Sequence, residues 1–277
     1  GQDYALIACA VLLAAWNAYL YPLAVLIIGS RQRALGQLLH DAAHRRLARH
    51  RKFNHLLGIW FVGAPIFQDF EYYRRQHVPL HHPFLGDPAI DPDYQDHMSS
   101  GLTSVKDRWD FLKNHFLKVV LMLGIFDYLK YLFKDRLAGM LSDPKQRVHL
   151  LVSQILIFVA LYSMTGIWGY LLFWIIPYVT ISQVFGWFNE ISEHYRLFER
   201  GVTVLDITRN RFPSWWEALF VGQHGENYHL THHLFPGLPF FNLSKAHHIL
   251  MRDPAYQAVN RWRCGIVSAS AGRSSVL

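Results

Sequence analysis

Two long apolar runs without a charged residue dominate the hydropathy pattern. Tyr4 to Gly29 holds no Lys, Arg, Asp or Glu and a single proline, Pro22. Val148 to Phe188 is longer and equally free of those four residue types. A helix that crosses a bilayer needs roughly 20 apolar residues. The first run therefore predicts one span, at about 4–29, and the second predicts two, at 148–164 and 167–188, folded at Met164-Thr165-Gly166. The helical pattern of the first span continues past Ser30 to His40, which places His40 roughly 15 Å beyond Gly29 at about 1.5 Å per residue. Shorter apolar stretches lie between the runs. Leu56 to Phe67 is interrupted by Gly63 and Pro65 and predicts a re-entrant or interfacial piece. Phe116 to Phe133, broken by Lys118, Asp127 and Lys130, predicts an interfacial helix.

Composition fits this pattern. The chain has 277 residues, 52% of them hydrophobic and only 17% charged. The expected fold is an all-α integral membrane protein with transmembrane helices and a cytoplasmic helical cap, in one domain over 1–277, the cap being 30–147 and 189–277. Lys and Arg crowd Arg31 to Arg147 and Arg196 to Arg273 and are absent from the turn near Gly166. The positive-inside rule puts both basic segments in the cytoplasm. Three spans then leave the N-terminus on the opposite side. The net charge of +7 reads as membrane topology and attraction to anionic headgroups. No nucleic-acid-binding motif accompanies it, so no nucleic-acid partner is expected. Two cysteines, Cys9 and Cys264, give neither a disulfide framework nor a thiolate metal site.

Candidate chemistry resides in the histidines. Of seventeen, eight fall into three clusters: His40-Asp-Ala-Ala-His44, His77-Val-Pro-Leu-His81-His82 and His229-Leu-Thr-His232-His233. Helix positions three and four apart share a face, so each cluster can aim two or three ring nitrogens at one point. Pro79 suggests that the second cluster opens a helix. His194 follows the last span and is a further candidate ligand. Asp41, beside His40, is placed to accept a ring N–H and fix a tautomer. Asp91 and Asp93, downstream of the second cluster, are candidates to orient its histidines, and His224 and Asn227 flank the third. One pair alone would carry little, but nine candidate ligands exceed what one ion can use, and two ions sharing them is the simplest arrangement. Thiolate-free, imidazole-rich ligation suits iron, zinc or copper. The His-Glu-x-x-His pattern of zinc hydrolases is absent. A metal transporter would place ionisable residues inside its spans, whereas these clusters lie outside them. A redox metal pair beside a bilayer points to dioxygen chemistry on a lipid-like substrate, with Trp60, Phe185, Trp187 and Phe188 as candidate walls for an apolar chain.

These boxes, arranged around a transmembrane hairpin and accompanied by Asp91-Pro92-Asp93 and Asn227-Tyr-His-Leu-Thr-His-His-Leu-Phe-Pro236, resemble the integral-membrane fatty acid desaturase superfamily. The resemblance covers about Leu20 to Met251, and the compact build with its His-Asp-Ala-Ala-His box is similar to the bacterial branch that includes the rhizobitoxine-type desaturase. It implies a non-haem di-iron centre with His40, His44, His77, His81, His82, His194, His229, His232 and His233 as ligands. It also implies O2 as co-substrate and a fatty acyl or similar lipid chain as substrate. Desaturation is the expected reaction; hydroxylation and oxidative decarboxylation to a terminal alkene are the alternatives within the family. A bacterial inner membrane with the metal site on the cytoplasmic side is the implied location. The chain has no His-Pro-Gly-Gly haem motif and no iron–sulfur cysteine set. A separate electron donor, a ferredoxin, rubredoxin or cytochrome with its reductase, is therefore expected.

Overall fold

A computed structural model describes residues 1–199, 201, 203–260, 265–267 and 275. Cys264 and part of the expected 189–277 cap segment lie outside these. The described residues form helices and connecting turns, with no strand among them. Two helical runs, Pro144–Thr165 and Leu171–His194, are long and apolar enough to cross a membrane.

The first apolar run departs from expectation. It is not one helix over 4–29 but two, Gln2–Trp16 and Tyr21–Ala43, packed against each other. Asn17 leaves the helical region at φ −145° and ψ 110°, and its side-chain oxygen accepts the Tyr19 N–H at 3.0 Å. Pro22 then sits in the first turn of the new helix. Its missing N–H costs nothing there, whereas mid-helix its ring would clash with a carbonyl one turn back. The fold-back brings Asp3 to within 3.6 Å of Arg31 and 3.0 Å of His224. Both ends of the run therefore lie on the histidine side, contrary to the placement that three single spans imply.

The second run folds as its sequence suggests. Asp143 caps the N-terminus of Pro144–Thr165 by accepting the Lys145 and Gln146 N–H groups at 2.8 and 3.0 Å. Gly166 ends the helix at φ +79°, a conformation that costs glycine little. The return run Leu171–His194 includes π-helical turns at Leu171–Ile175 and Tyr178–Ser182. It packs so closely on Tyr21–Ala43 that a Cβ at Gly29 would lie 2.5 Å from Ile181 Cβ. On the outer face of Pro144–Thr165, Leu151, Ile155, Leu156 and Val159 are exposed.

The 56–67 stretch lies against these helices as a π-turn, Gly58–Gly63, followed by a 3-10 turn, Ala64–Ile66. Its turned backbone leaves carbonyls unpaired, and side chains of the second apolar run satisfy them. Gln154 Nε2 donates to the Ala64 and Pro65 oxygens at 2.8 and 3.1 Å, Trp174 Nε1 to Pro65 O at 3.1 Å, and Tyr178 Oη to Ile66 O at 2.7 Å. Irregular backbone is tolerated among apolar helices only with such partners. The expected helix at 116–133 is broken at Leu121 to Gly124, where Met122 takes φ +54°.

Candidate metal centre

Histidines from four separate elements meet at one end of the helices. His40 lies in the last turn of Tyr21–Ala43 and His44 caps it, one turn apart on one face. The second box is a π-turn, His77–His81, that continues from helix Phe70–Gln76, so Pro79 lies inside a turn and does not open a helix. A π-turn brings residues five apart into register. His82 N bonds to His77 O at 3.2 Å, and the two Nε2 atoms lie 3.0 Å apart. The third box is helix His229–Leu234, where His229 and His233 share a face and His232 points elsewhere. His194 ends the run Leu171–His194.

The nine rings divide into two cages. One comprises His40, His44, His77, His82 and His232; the other, His81, His194, His229 and His233; within each, one ligand atom per residue lies within 4.8 Å of the others. His77 and His81 fall in different cages, although with Asp93 they also form a group whose ligand atoms lie within 4.8 Å of one another, and the third box is divided between the cages likewise. Stacked rings of His82 and His233, with centroids 4.4 Å apart, join the two.

The tautomers show what the cages are suited to hold. His194 Nδ1 lies 2.8 Å from the Ile207 carbonyl, which can only accept, so this ring carries its proton on Nδ1. His81 Nδ1 lies 2.8 Å from Asp91 Oδ1 and 3.2 Å from Asp93 Oδ2, with the same result in the neutral ring. His229 Nδ1 lies 3.4 Å from Glu193 Oε1. Their Nε2 lone pairs consequently converge, with His229 Nε2 at 2.9 Å from His194 Nε2 and 3.0 Å from His233 Nε2. In the other cage, His40 Nε2 and His44 Nε2 are buried with no hydrogen-bond partner. Facing lone pairs at such distances repel one another, and a metal cation in each cage would satisfy them. The donor set is nitrogen throughout, which fits iron, zinc or copper.

Burial first, and neighbouring imidazoles second, push His77, His229, His232 and His233 well below the ordinary histidine value. His44 falls to about 4 and His82 to about 2, for each of which burial is the largest cause. His81 moves the other way: burial pulls it down, but Asp93 and Asp91 outweigh it. A sign follows for the metal-free chain. Unfolded histidines take up protons below about 6.5, while the buried rings stay neutral to lower pH, so stability is full above that value and lost as pH falls toward about 4 for His44. Thermal unfolding of the chelator-treated chain should show Tm dropping steadily from pH 7 to pH 5. A flat profile would contradict the buried, neutral state of the rings.

Of the expected supporting residues, Asp91 and Asp93 lie against His81 and three others do not reach the rings. Asp41 Oδ1 is 4.0 Å from His40 Nδ1, too far for a hydrogen bond, and Asp41 Oδ2 instead accepts the Phe240 N–H at 3.1 Å. Within a helix, neighbours in sequence point about 100° apart. His224 is drawn to Asp3 at 3.0 Å, and Asn227 Nδ2 donates to the Arg211 carbonyl at 3.1 Å. The proposed aromatic walls pack on other rings: Trp60 on His149, Phe185 on Phe220, Trp187 on Phe111 and Phe188 on Phe116.

A buried polar network behind His229 was not anticipated. Arg211 Nη1 donates to Asn189 Oδ1 at 3.0 Å and Ser192 Oγ at 2.6 Å, and its Nη2 lies 3.8 Å from Glu193 Oε1. Arg33 forms an ion pair with Glu226, and burial holds the Glu226 carboxyl above its ordinary range despite Arg33 and Arg211. The signal in the sequence was Asn189-Glu-Ile-Ser-Glu-His194, where polar residues end a long uncharged run.

Comparisons with known proteins agree with this geometry. A family model described as fatty acid desaturase matches residues 6–265. The chain is 40% identical to the dihydrorhizobitoxine desaturase of Bradyrhizobium elkanii, over all of this chain and 81% of that protein. It is 25% identical to an sn-1 oleoyl-lipid 12-desaturase of Anabaena variabilis, over 83% of this chain and 68% of that one. A protein of the same description from Synechocystis is 26% identical over 75% of this chain and 62% of its own length.

Proposed function

The chain belongs to the fatty acid desaturase family, and from that premise we propose that its two histidine cages hold a pair of iron ions that desaturate a fatty acyl or similar lipid-like chain with O2. It is an oxidoreductase enzyme, and desaturation is the activity its family and relatives support. The observation that carries the iron reading is the convergence of nine imidazoles, seven buried and two half-buried, into groups of five and four. The iron pair supplies, with O2 and two electrons, the oxidising power to remove hydrogen from an unactivated C–H bond.

The chain's own residues hold and orient. His40, His44, His77, His82 and His232 are the ligands of one ion, and His81, His194, His229 and His233 those of the other. Asp91 holds the Nδ1 proton of His81 and the Ile207 carbonyl that of His194, while Asp93 and Glu193 lie 3.2 and 3.4 Å from the Nδ1 atoms of His81 and His229. Outer partners of this kind set ring orientation and ligand basicity. Burial keeps the imidazoles neutral, as ligation requires.

The helical runs Pro144–Thr165 and Leu171–His194 cross the bilayer, with the exposed apolar face of the first toward lipid. The hairpin Gln2–Trp16 and Tyr21–Ala43 lies in the same layer. The histidine centre sits at the cytoplasmic end, in a bacterial inner membrane. Electrons come, on this reading, from a separate ferredoxin, rubredoxin or cytochrome with its reductase. The test is turnover. The purified chain, loaded with iron and supplied with a ferredoxin system, O2 and a panel of saturated acyl substrates, should give an olefin by mass spectrometry with matching O2 uptake. A zinc-filled protein that consumes no O2 in any arm would overturn the proposal.

A further inference from the structure

Residues 207–211 leave the short helix Val204–Ile207 and run between the two segments that build most of the four-histidine cage. One segment is the end of the run Leu171–His194; the other is the turn before helix His229–Leu234 together with that helix. Bonds go to both sides in turn. Toward the run, the Ile207 carbonyl accepts the His194 Nδ1 proton at 2.8 Å, and Arg209 donates to the Tyr195 carbonyl. Toward the third box, the Arg209 carbonyl accepts the Leu230 N–H at 3.3 Å and Asn210 Oδ1 the Thr231 N–H at 3.1 Å.

Arg211 reaches both sides at once, and its side chain is 2% exposed. Toward the run, Nη1 donates to Asn189 Oδ1 at 3.0 Å and Ser192 Oγ at 2.6 Å, and Nη2 lies 3.8 Å from Glu193 Oε1. Both acceptors are held in place. Asn189 Nδ2 donates to the Val221 carbonyl at 3.0 Å, and Ser192 Oγ gives its proton to the Asn189 carbonyl at 2.6 Å. Toward the third box, Nη2 donates to the Glu226 carbonyl at 3.3 Å and Arg211 N to the Asn227 carbonyl at 2.7 Å, while Asn227 Nδ2 donates back to the Arg211 carbonyl at 3.1 Å. Ser192 stands two residues before His194, and Asn227 two before His229. A planar fork suits this task because its donors diverge in fixed directions, whereas a lysine ammonium is a single point on a flexible stem.

This clamp acts against a force. In the empty cage His194 Nε2 and His229 Nε2 face each other at 2.9 Å, an arrangement that favours separation until a cation enters. We propose that Arg211 is a positioning residue for the four-histidine cage and fixes His194 against His229 and His233 at ligating distance. Three of that cage's four rings stand on the two segments that Arg211 joins, whereas of the other five rings only His232 does. Loss of Arg211 therefore strikes one ion and largely spares the other. This rests on the reading of the cages as metal sites.

The test is chelator competition and Mössbauer spectroscopy on the iron-loaded full chain in nanodiscs, for wild type, Arg211→Lys and Arg211→Ala. Both variants should hold one iron as wild type does and the other about tenfold or more weakly, the order of effect seen when an outer partner of a ligand is removed. The spectrum should lose the signal that His194→Ala also loses and keep the one that His44→Ala loses. Added guanidinium should restore the second iron in Arg211→Ala, and added methylammonium should not. Two irons of wild-type affinity in both variants, equal loss from both cages, collapse of the fold, or no rescue by guanidinium would overturn the proposal. Hydrogen exchange of the metal-free chains separates this from a failure of the metal assignment. Amides at 228–231 should exchange faster in both variants with those at 40–44 unchanged, whichever metal the cages take; unchanged exchange at 228–231 would overturn the clamp.

Discussion

His229→Ala should lose turnover to background and lose iron from one cage while the other keeps its ion. His229 is central to its cage, with Nε2 at 2.9 Å from His194 and 3.0 Å from His233. Three imidazoles remain there, against five in the neighbouring cage. Removal of an outer partner already costs about 10–100-fold in metal affinity, and removal of a ligand costs more. The metal-free variant serves as the control. Deleting one of several facing lone pairs relieves repulsion, so its Tm should match or exceed that of the metal-free wild type. Iron analysis after dialysis against a weak chelator, with Tm measured in parallel, reads both effects. A full complement of iron in His229→Ala would remove the residue from the ligand set.

Asp91→Ala has the second largest expected effect, and it combines two costs. The carboxylate is fully buried and accepts three N–H groups: His81 Nδ1 at 2.8 Å, Gly86 N at 2.8 Å and Asp93 N at 3.0 Å. It also caps helix Pro92–Ser99. Loss of the cap costs about 1 kcal/mol, and each buried donor left unsatisfied costs about 1–3 kcal/mol more. Metal affinity in the His81 cage falls by about 10–100-fold because the ring loses its fixed orientation. Asp91→Asn separates the two. With its oxygen in the Oδ1 place it keeps the cap and meets His81 only as a neutral acceptor, while its amide NH2 faces Gly86 N, so stability falls by about 1–3 kcal/mol, less than in Asp91→Ala, and iron affinity still drops. Chelator competition and thermal unfolding of both variants check this; wild-type iron affinity in Asp91→Asn would exclude the supporting role.

Much of this arrangement was legible in the chain. Uncharged apolar runs located the helices, and box spacing located the histidines that converge, because both depend on local periodicity. The distribution of rings between cages was not legible, since His77, His81 and His82 sort according to a π-turn whose form depends on surrounding packing. The hairpin at Asn17 to Pro22 left a trace in Asn17 and Pro22, masked by the apolar residues on either side. Asp41, His224 and Asn227 were near the boxes in sequence, but backbone direction sends their side chains to Phe240, Asp3 and Arg211. Arg211 and Arg33 were hidden for the opposite reason: cations that serve as topology signals in sequence also close a network with Glu193 and Glu226 behind His229.

The most direct measurement is anomalous X-ray diffraction from crystals of the iron-loaded chain at energies above and below the iron edge. Two iron peaks per molecule are expected, one among His40, His44, His77, His82 and His232 and one among His81, His194, His229 and His233. A single peak, peaks outside these rings, or a signal that appears only at the zinc edge would contradict the account.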